Sequence, residues 1–407
     1  MKRERTVIAV LCGLAFMLRI TVAVWGADHF WSYPTYFQVA THVADGRGYC
    51  LADDGGYCAY FPPVYPTVVA VGILTGHPRI AIVLISSAIG AGTVWLTFLI
   101  GRLLFGSPTG LLAAACVAVY PYFVWHDPVV QENATLAFVV AGTMLLLIRS
   151  NASASRWVWL CTGAMLALAV LTKANLGLFI PFALAWMAIA APDPLLRWRR
   201  VTWAGLGVLL VLGPWLVRTW RVAGEPILYS NAGFSLWTAN HKLTFDYFPE
   251  RSIDDASGPQ WDDLSAEERH EFDAIVDRQG IQQTHWLWRK GMAFIEANPG
   301  LTLKRAVYKV WIAFSPRFSP AKGWLFQSVY LVSYFPLFLL TGVGAWKARA
   351  QWREAGYFYV LMASFALGSA VFWAHTSHRM YLEPYLMILS AHAVADSRLI
   401  RRLLPAC

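Results

Sequence analysis

The sequence predicts an all-α protein that crosses a membrane several times, and three observations lead to that fold class. The first is composition: of 407 residues, 57% are hydrophobic and only 14% are charged, against about 25% charged residues in a soluble domain. The second is a mean hydropathy of +0.47 over the chain. The third is a series of apolar runs separated by short basic clusters. Soluble and disordered chains are excluded, because a soluble protein with so many apolar residues would expose large hydrophobic patches.

The first apolar run, residues 7–25, predicts a membrane-spanning helix that is not removed. It follows Lys2, Arg3 and Arg5, a start that a secretory signal peptide would share. Arg19 interrupts the run, however, and no clear small-residue cleavage site follows it. We therefore predict an uncleaved first span with its N-terminus in the cytoplasm.

Further apolar runs raise the predicted number of spans to about ten, since a helix needs about 20 apolar residues to cross the hydrocarbon core. These runs cover residues 80–104, 111–125, 134–148, 157–171, 176–190, 201–217, 324–346, 357–373 and 385–395. Counted from a cytoplasmic N-terminus, every second connection is basic, as cytoplasmic loops are. The basic residues of these cytoplasmic segments are Arg102, Arg149, Arg156, Arg197, Arg199, Arg200, Lys347, Arg349, Arg353, Arg398, Arg401 and Arg402.

The same topology leaves two long connections on the outer side of the membrane and divides the chain into three parts. Residues 1–217 form an N-terminal transmembrane module, which includes the first outer connection, 26–76. Residues 218–322 form a polar and acidic outer excursion. Residues 323–407 form the C-terminal transmembrane helices.

Two local patterns in the outer connections predict structure. Ser265 followed three residues later by Glu268 is a capping-box pattern, which predicts the start of a helix. Cys50 and Cys58 lie close together, and an oxidising compartment would favour a disulfide that closes a short loop over two free thiols. A zinc site would need further Cys or His residues at ligand spacing, and the sequence shows none.

The net charge of +9, from 33 Lys and Arg against 24 Asp and Glu, does not indicate nucleic-acid binding. The basic residues lie between apolar runs, where they set membrane topology, and do not form one binding face. The sequence also lacks phosphate-loop, dinucleotide, zinc-protease and nucleophile-elbow motifs. Ionisable residues at the outer ends of spans are therefore the candidates for chemistry, because a charge at the bilayer centre costs about 2.5–3.5 kcal/mol on insertion scales.

An ordered series of short motifs covers nearly the whole chain. The first outer connection holds Asp28, Tyr36, Ala40, Gly46-Arg-Gly48-Tyr49 and Pro62-Pro63-Val-Tyr65-Pro66. Later motifs are Tyr120-Pro121, Glu132, Leu171-Thr-Lys173, Pro214-Trp215-Leu-Val-Arg218, Asn231-Ala-Gly233, Trp237-Thr-Ala-Asn240, Asn298-Pro299 and Ser377-His378-Arg379-Met-Tyr381. This series resembles bacterial membrane glycosyltransferases with the GT-C fold, relatives of protein O-mannosyltransferases and of the aminoarabinose transferase that acts on lipid A.

The resemblance implies a GT-C-like helical bundle that transfers a hexosyl or pentosyl group, with inversion, from a polyprenyl-phosphate donor at the outer face. In that family an acidic residue just after the first span acts as general base, and Asp28 is the matching acid. The family's acid usually stands four residues before the loop tyrosine, Tyr36, which here is Ser32, one helical turn after Asp28. The alternative for Asp28 is a helix cap at the membrane interface.

A second acidic residue of the family matches Glu132. The resemblance implies that Glu132 orients the acceptor or assists Asp28, and His126 and Asp127 are candidates to join it in a metal site or a hydrogen-bonded cluster. The alternative is a charge at a helix N-terminus, which the helix dipole favours.

The leaving group of such a transfer is a polyprenyl phosphate, so the site needs fixed positive charge. The candidates on the outer side are Arg218, Arg379 and Lys173. An arginine can donate two parallel hydrogen bonds to a phosphate. For each of the three, the alternative is snorkelling to the interface or pairing with an outer acid. Arg19 is more often a structural interface residue than a ligand.

Aromatic residues are the remaining substrate-binding candidates. Tyr36, Tyr65, Trp237 and Asn240 belong to the matching motifs, and aromatic faces can stack on sugars. For most other Tyr and Trp residues the aromatic belt of any membrane protein is the better explanation.

The implied partners are a polyprenyl-phosphate sugar donor, a glycan, lipid or protein acceptor, and membrane lipid, without nucleic acid. The implied location is the plasma membrane of a bacterium, within the cell envelope. The sequence shows no metal-ligand set and assigns no cofactor, but it leaves open a divalent cation held partly by Asp28 or Glu132.

Two other classes of function stay open at this point. A transporter or flippase of lipid-linked sugars would use mid-membrane charges and internal repeats, whereas the charges here gather at one face. A non-catalytic assembly factor would tolerate the loss of Asp28, Glu132 and Arg218 together.

Overall fold

The computed structural model describes residues 2–26, 30, 33–191, 193–251, 253–275, 277–318, 321–372, 375–395 and 397, and this part of the chain contains helices, turns and loops but no strand. Its helices are α1 (Lys2–Trp25), α2 (Pro34–Ala44), α3 (Val64–Ile73), α4 (Pro78–Phe105), α5 (Ser107–Val119), α6 (Pro121–His126), α7 (Asn133–Ala152), α8 (Arg156–Thr172), α9 (Phe179–Ile189), α10 (Pro194–Ala223), α11 (Ala232–Ala239), α12 (Ser257–Asp262), α13 (Ala266–Asp273), α14 (Ile281–Ala297), α15 (Pro299–Phe314), α16 (Trp324–Lys347), α17 (Trp352–Val371) and α18 (Glu383–Ala395).

In the described part of the chain, five helical stretches are long and apolar enough to cross a membrane. They are Lys2–Trp25, Pro78–Phe105, Asn133–Ala152, Leu196–Ala223 and Trp324–Val371, the last of which joins α16 and α17. The shorter apolar helices are α3, α5, α8 and the stretch that ends with α9. The predicted fold class, an all-α membrane protein with several spans, is confirmed. The predicted number of about ten spans stays a prediction.

A proline divides one predicted span, 111–125, into α5 and α6. Tyr120 between them is extended, with φ −62° and ψ 119°. The ring of a proline pushes the preceding residue out of the helical region, whereas Pro121 itself fits the first turn of the next helix. The chain then runs through the short α6 to the loop that carries Glu132.

Glycines allow α8 and α10 to pack backbone against backbone. A Cβ on Gly163 would collide with a backbone carbonyl of α10, and a Cβ on Gly207 would collide with one of α8. Small residues at helix crossings are typical of membrane proteins, because they let the backbones approach closely. This crossing fixes Arg218, near the end of α10, relative to Lys173, which directly follows α8.

Two long connections, one between α1 and α4 and one between α10 and α16, lie at the same end of the bundle and contact each other. The backbone N–H of Tyr57 donates to the carbonyl of Arg278 at 3.0 Å. The backbone N–H of Cys58 donates to Oε1 of Gln279 at 2.8 Å. Residues 50–58, which we call the disulfide loop, therefore form part of the contact between the two connections.

The second connection contains the helix start that the sequence predicts. Ser265 caps α13: its hydroxyl accepts from the backbone N–H of Glu268 at 3.1 Å. The Glu268 carboxylate in turn accepts from the backbone N–H of Ser265 at 2.8 Å. The capping box is confirmed, and it satisfies two amide groups that would otherwise lack a partner at the helix start.

Candidate active site

Glu132 is the centre of a buried polar cluster. It lies directly before α7, and it is 6% exposed. Its Oε1 accepts a hydrogen bond from Nζ of Lys173 at 2.6 Å, and its carboxylate also accepts one from the Tyr36 hydroxyl. Lys173 reaches this position because α8 ends at Thr172 and the chain becomes extended there. Three of the predicted site residues thus form one cluster from three separate parts of the chain.

The charge state of this cluster follows from its contacts. Burial acts to raise the pKa of Glu132, but the positive charge and hydrogen bond of Lys173, together with the Tyr36 hydroxyl, outweigh it and leave the pKa below its ordinary value. Burial and the nearby Glu132 charge raise the pKa of Tyr36 well above its ordinary value. Glu132 is therefore an ionised acceptor, and Tyr36 is a protonated donor at neutral pH.

An aromatic wall encloses the cluster on the side of the first connection. The ring of Tyr36 stacks on Phe61 with centroids 4.0 Å apart and meets Tyr65 edge-on at 4.9 Å. Tyr65 is 1% exposed, and its buried hydroxyl oxygen faces the backbone N–H of Gln131, while the hydroxyl proton has no acceptor in the described contacts. The two tyrosines of the motifs thus lie together beside Glu132, and the Tyr65 hydroxyl has an unused donor.

Arg218 anchors the disulfide loop. Its guanidinium donates to the carbonyls of Cys58 at 2.8 Å and Tyr49 at 2.9 Å, and it lies over the rings of Tyr49 and Trp215. Cys50 and Cys58 are joined in a disulfide. The arginine therefore holds both ends of a covalently closed loop.

A short series of contacts connects Arg218 to the Glu132 cluster. The hydroxyl of Tyr49, beneath the Arg218 guanidinium, donates to the carbonyl of Phe61 at 3.2 Å. The ring of Phe61 stacks on Tyr36, which in turn bonds Glu132. Arg218 and the Glu132–Lys173 pair thus both interact with the connection between α1 and α4. The described contacts include none between Arg218 and either residue of the pair.

Arg379 has a separate set of partners. It is 0% exposed and pairs with Glu383 at 3.2 Å, one helical turn later. It also donates to the carbonyls of Ala313 at 2.9 Å and Ser315 at 3.0 Å, and it lies over the ring of Tyr334. The described contacts of Arg379 tie α15 to the start of α18, as a carboxylate four residues away favours. Its Nη2 is buried without a hydrogen-bond partner, so its predicted role as a phosphate ligand stays a prediction.

Trp237 and Asn240 lie in the second connection, and their described contacts do not include Glu132. Trp237 is 1% exposed, with its ring 4.8 Å from that of Trp261, so its faces are already covered. Asn240 accepts from Nζ of Lys309 at 3.1 Å and donates to the carbonyl of Val371 at 2.9 Å. Both side chains stabilise the packing of this connection.

The predicted base, Asp28, lies outside the described residues, as does Ser32. Between them, Phe30 is described and buried, and its carbonyl accepts from the backbone N–H of Val130 at 2.9 Å. Val130 stands two residues before Glu132. The chain next to Asp28 is thus attached to the segment that carries the Glu132 carboxylate.

A second buried ion pair lies near this end of the bundle, where the sequence suggested only an interface arginine. Arg19 of α1 contacts Oδ2 of Asp127 at 2.6 Å, and both side chains are almost fully buried. A Cβ on Gly90 would collide with this pair. The sequence signal was the charge that interrupts an apolar run, because such charges usually face a partner inside the bundle. Asp127 therefore pairs with Arg19, and its described contacts do not include Glu132.

The candidate ligands for a divalent cation are only partly visible. Among the residues that the structure describes, no group of three or more His, Cys, Asp or Glu side chains could hold a metal ion. Because Asp28 lies outside that set, a cation held partly by Asp28 or Glu132 stays a prediction.

Comparison with known proteins supports the fold. Residues 61–218, which include Tyr65, Glu132, Lys173 and Arg218, match the family model of dolichyl-phosphate-mannose-protein mannosyltransferases. No curated protein sequence is significantly similar to the chain.

Solved structures resemble the whole chain at low sequence identity. The oligosaccharyltransferase AglB of the archaeon Archaeoglobus fulgidus, in complex with an inhibitory peptide and a dolichol-phosphate, matches with a TM-score of 0.58 and 15% identity over 99% of this chain and 52% of its own. An Archaeoglobus fulgidus oligosaccharyltransferase in complex with zinc and sulfate gives a TM-score of 0.52 and 14% identity over 98% of this chain and 50% of its own. The chain thus spans about half the length of these two proteins. ArnT from Cupriavidus metallidurans, bound to undecaprenyl phosphate, gives a TM-score of 0.45 and 12% identity over 96% of this chain and 77% of its own.

The comparisons agree with the architecture built from the residues. Apolar helices of membrane-spanning length, the match over 61–218 and the likeness of fold to AglB over nearly the whole chain point to one group. This chain is an integral membrane protein with the fold of the GT-C glycosyltransferases.

Proposed function

We propose that the protein is a membrane glycosyltransferase that moves a sugar from a polyprenyl-phosphate donor to an acceptor hydroxyl at the non-cytoplasmic face. The observation that carries this proposal is that the segment matching the mannosyltransferase family model, 61–218, supplies the buried Glu132–Lys173 pair and Arg218. The dolichol-phosphate bound to the structurally similar AglB supports the donor class. The acceptor is a glycan, a lipid or a protein.

The reaction is a single displacement at the anomeric carbon. The acceptor oxygen attacks from the side opposite the phosphate, so a new carbon–oxygen bond forms as the bond to the phosphate oxygen breaks and the configuration inverts. The hydroxyl proton passes to a carboxylate, and the polyprenyl phosphate leaves as an anion. We propose Asp28 as the carboxylate, supported by the attachment of Phe30, two residues later, to Val130 beside Glu132.

We propose that Glu132 is a positioning residue. A carboxylate whose pKa is held low by a lysine is a weak proton acceptor, so Glu132 suits the task of holding Lys173 and Tyr36 in place. Asp28 then remains as the base. The buried Tyr65 hydroxyl, whose oxygen faces the backbone N–H of Gln131 and whose proton has no acceptor in the described contacts, is available to donate to the sugar or to the phosphate.

Two cations are available for the leaving phosphate. Lys173 uses one N–H for Glu132, which leaves two donors, and its side chain is 17% exposed. Arg218 holds the disulfide loop and presents a planar guanidinium beside Trp215. Fixed positive charge at this end of the bundle would stabilise the negative charge that develops as the donor bond breaks. Arg379 is the third candidate: Nε and Nη1 are engaged by Glu383 and two carbonyls, while its buried Nη2 has no hydrogen-bond partner in the described contacts.

We also propose the orientation and the division of the chain. The basic clusters at alternate connections favour a cytoplasmic N-terminus. The Cys50–Cys58 disulfide favours an oxidising compartment for the first long connection. Residues 1–217 and 323–407 would then form the transmembrane parts, and residues 218–322 the part on the far side.

The test is covalent transfer in proteoliposomes. The purified protein receives polyprenyl-phosphate [3H]mannose, a defined member of the donor class, or a 14C-labelled lipid extract that contains other polyprenyl-phosphate sugars. An envelope extract supplies acceptors. We expect the label to move covalently into acceptor material. This transfer should be lost in Asp28→Asn and retained in Asp45→Asn. Asp45 is a control acid on the same connection that forms a half-exposed ion pair with Arg47.

Two outcomes would reject the proposed transfer, and a third would remove only the assignment of Asp28. Labelled donor that crosses the bilayer without chemical change would assign the protein to the transporter or flippase class. Retained acceptor labelling in Asp28→Asn would remove Asp28 from the role of base. Binding of envelope components without transfer, unaffected when Asp28, Glu132 and Arg218 are all replaced, would indicate an assembly factor.

A further inference from the structure

Helix α15 turns large apolar side chains outward and two of its three charged side chains inward. Its most exposed large hydrophobic side chains are Leu303, Val307 and Trp311, at 68%, 66% and 64% exposure, and they are spaced four residues apart on one face. The opposite face holds Arg305, which is half-buried, and Lys309, which is 1% exposed. A helix on a water-exposed domain has the reverse arrangement, because its apolar face packs against the core. The helix is therefore unsuited to an aqueous surface.

The inward-facing charges of α15 are bound by neutral oxygen atoms. Nζ of Lys309 donates to Oδ1 of Asn240 at 3.1 Å and to the carbonyl of Val371 at 3.3 Å. Arg305 donates to the two backbone carbonyls of residues 241–242 at 2.7 and 2.9 Å. Charged side chains of helices in lipid face the protein interior in the same way, because lipid offers them no partner.

The depth of α15 follows from its contacts with α17, which belongs to a stretch that is long and apolar enough to cross a membrane. Lys309 contacts the carbonyl of Val371, the last residue of α17. The ring of Phe314 lies 5.5 Å from that of Phe365. Because a helix rises about 1.5 Å per residue, Phe365 lies about 9 Å below the end of α17. The second half of α15, with Trp311, therefore runs beside the last turns of a membrane-spanning helix.

We propose that α15 is immersed in the lipid of the leaflet in which α16 begins, with Val307 and Trp311 against acyl chains. Continuity with a lipid-facing surface supports lipid as the occupant. Helix α16 follows α15 with Trp324 and Leu325 at 80% and 57% exposure. Over its whole length α16 buries only Tyr330, Tyr334 and Gly344, so most of its surface must face lipid.

Charge complementarity gives further support. Lys304 is exposed on the same face of α15 as Val307. It lies in the N-terminal half of the helix, before the residues that contact α17. A lysine at that level can bury its stem in the apolar layer and place its ammonium among anionic headgroups. The segment 218–322, which the sequence presents as a polar excursion, then contains a helix that contacts the bilayer directly. This inference depends on the membrane-spanning fold and not on the proposed transfer reaction.

The test measures which solvent surrounds single sites. Nitroxide labels are placed by Val307→Cys, Trp311→Cys and, as the matched control, Glu271→Cys, an exposed position on the predominantly charged helix α13. The cysteines other than Cys50 and Cys58 are replaced by serine. Collision rates with oxygen, which concentrates in lipid, and with a water-soluble nickel complex are measured by electron paramagnetic resonance in phosphatidylethanolamine and phosphatidylglycerol vesicles.

We expect oxygen collisions to exceed nickel collisions at residues 307 and 311, and the reverse at residue 271. Val307 is exposed, so its replacement leaves the packing of α15 intact even if Trp311→Cys perturbs it. Nickel accessibility at residue 307 equal to that at residue 271 would overturn the proposal, because the face would then be in water. Shielding of residue 307 from both reagents would overturn it as well, because protein would then cover the face. Spectral broadening that disappears on dilution with unlabelled protein would identify that cover as a second copy.

Discussion

The Glu132–Lys173 pair permits a quantitative prediction about stability. The carboxylate side chain is 7% exposed and the lysine side chain is 17% exposed, with 2.6 Å between Nζ and Oε1. Lys173→Met removes the cation and leaves a buried carboxylate supported mainly by Tyr36. Removing one partner of a buried pair typically costs about 3–5 kcal/mol, because the remaining charge loses its compensation. We expect Lys173→Met to lie in that range.

A double-mutant cycle separates the interaction energy between Glu132 and Lys173 from the interactions that each residue makes with its surroundings. In Glu132→Gln combined with Lys173→Met, the buried group is a neutral amide, so the loss of the cation costs much less. The coupling energy of the cycle should then reach about 2–3 kcal/mol, near the upper end for residues in contact. The exposed pair Asp45–Arg47, replaced in the same way by Asn and Met, serves as the control and should give about 0–1 kcal/mol.

Reversible unfolding in mixed micelles with increasing sodium dodecyl sulfate measures these free energies for all variants. The measurement is made without donor, so a role of Lys173 in binding phosphate does not enter the result. A coupling energy indistinguishable from that of Asp45–Arg47 would refute the reasoning, because the two buried charges would then act independently.

Three further predictions concern the first connection and helix α13. Asp28→Asn should abolish transfer while leaving folding and donor binding largely unchanged, as measured by turnover, thermal unfolding and retention of labelled donor. Alkylation with and without reductant, followed by mass spectrometry, should find Cys50 linked to Cys58. Alkylation of both cysteines in the native protein without reductant would contradict the linkage. Cys50→Ser should lower the free energy of unfolding by about 2–4 kcal/mol in the same assay. The hydrogen bonds of Lys290 and of the Ser265 amide lower the pKa of Glu268 from 4.5 to about 2. Because the pKa of Glu268 is lower in the folded protein, this stabilisation is present above pH 4.5 and is lost as the pH falls toward 2. The resistance of α13 to protease should therefore fall between pH 4.5 and 2. The fall should be less steep in Glu268→Gln.

The positions of the apolar helices could be read from the sequence because hydropathy is a local property. A run such as 80–104 contains all the information that places it in a helix, and α4 covers it from Pro78 to Phe105. The division of 111–125 at Pro121 was also readable, since the residue before a proline avoids the helical region. Hydropathy alone missed it, because Tyr120 and Pro121 do not interrupt an apolar average.

The partners of the charged residues could not be read in the same way. Glu132 and Lys173 are 41 residues apart in the chain, and only the packing of α7 against α8 brings them together. For Arg379 a local signal did exist: Glu383 stands four residues later, a spacing that favours an ion pair within one helical turn. The motif around Arg379 suggested a ligand, while the spacing indicated a structural pair.

Buried charges at one end of the bundle need an explanation beyond stability. Arg19–Asp127 and Glu132–Lys173 both desolvate their charges, and replacing such a pair by apolar side chains is often neutral or stabilising. In a protein that crosses a membrane, the free-energy cost of inserting charged residues into the bilayer adds to this desolvation penalty. The pairs also join separate elements: one links α1 to the loop after α6, and the other links the start of α7 to the end of α8. The two pairs therefore fix α1, the loop after α6, α7 and α8 relative to one another at the end of the bundle where we propose that transfer takes place, and fixed surroundings of this kind suit a reaction in which a lipid-linked donor enters and leaves.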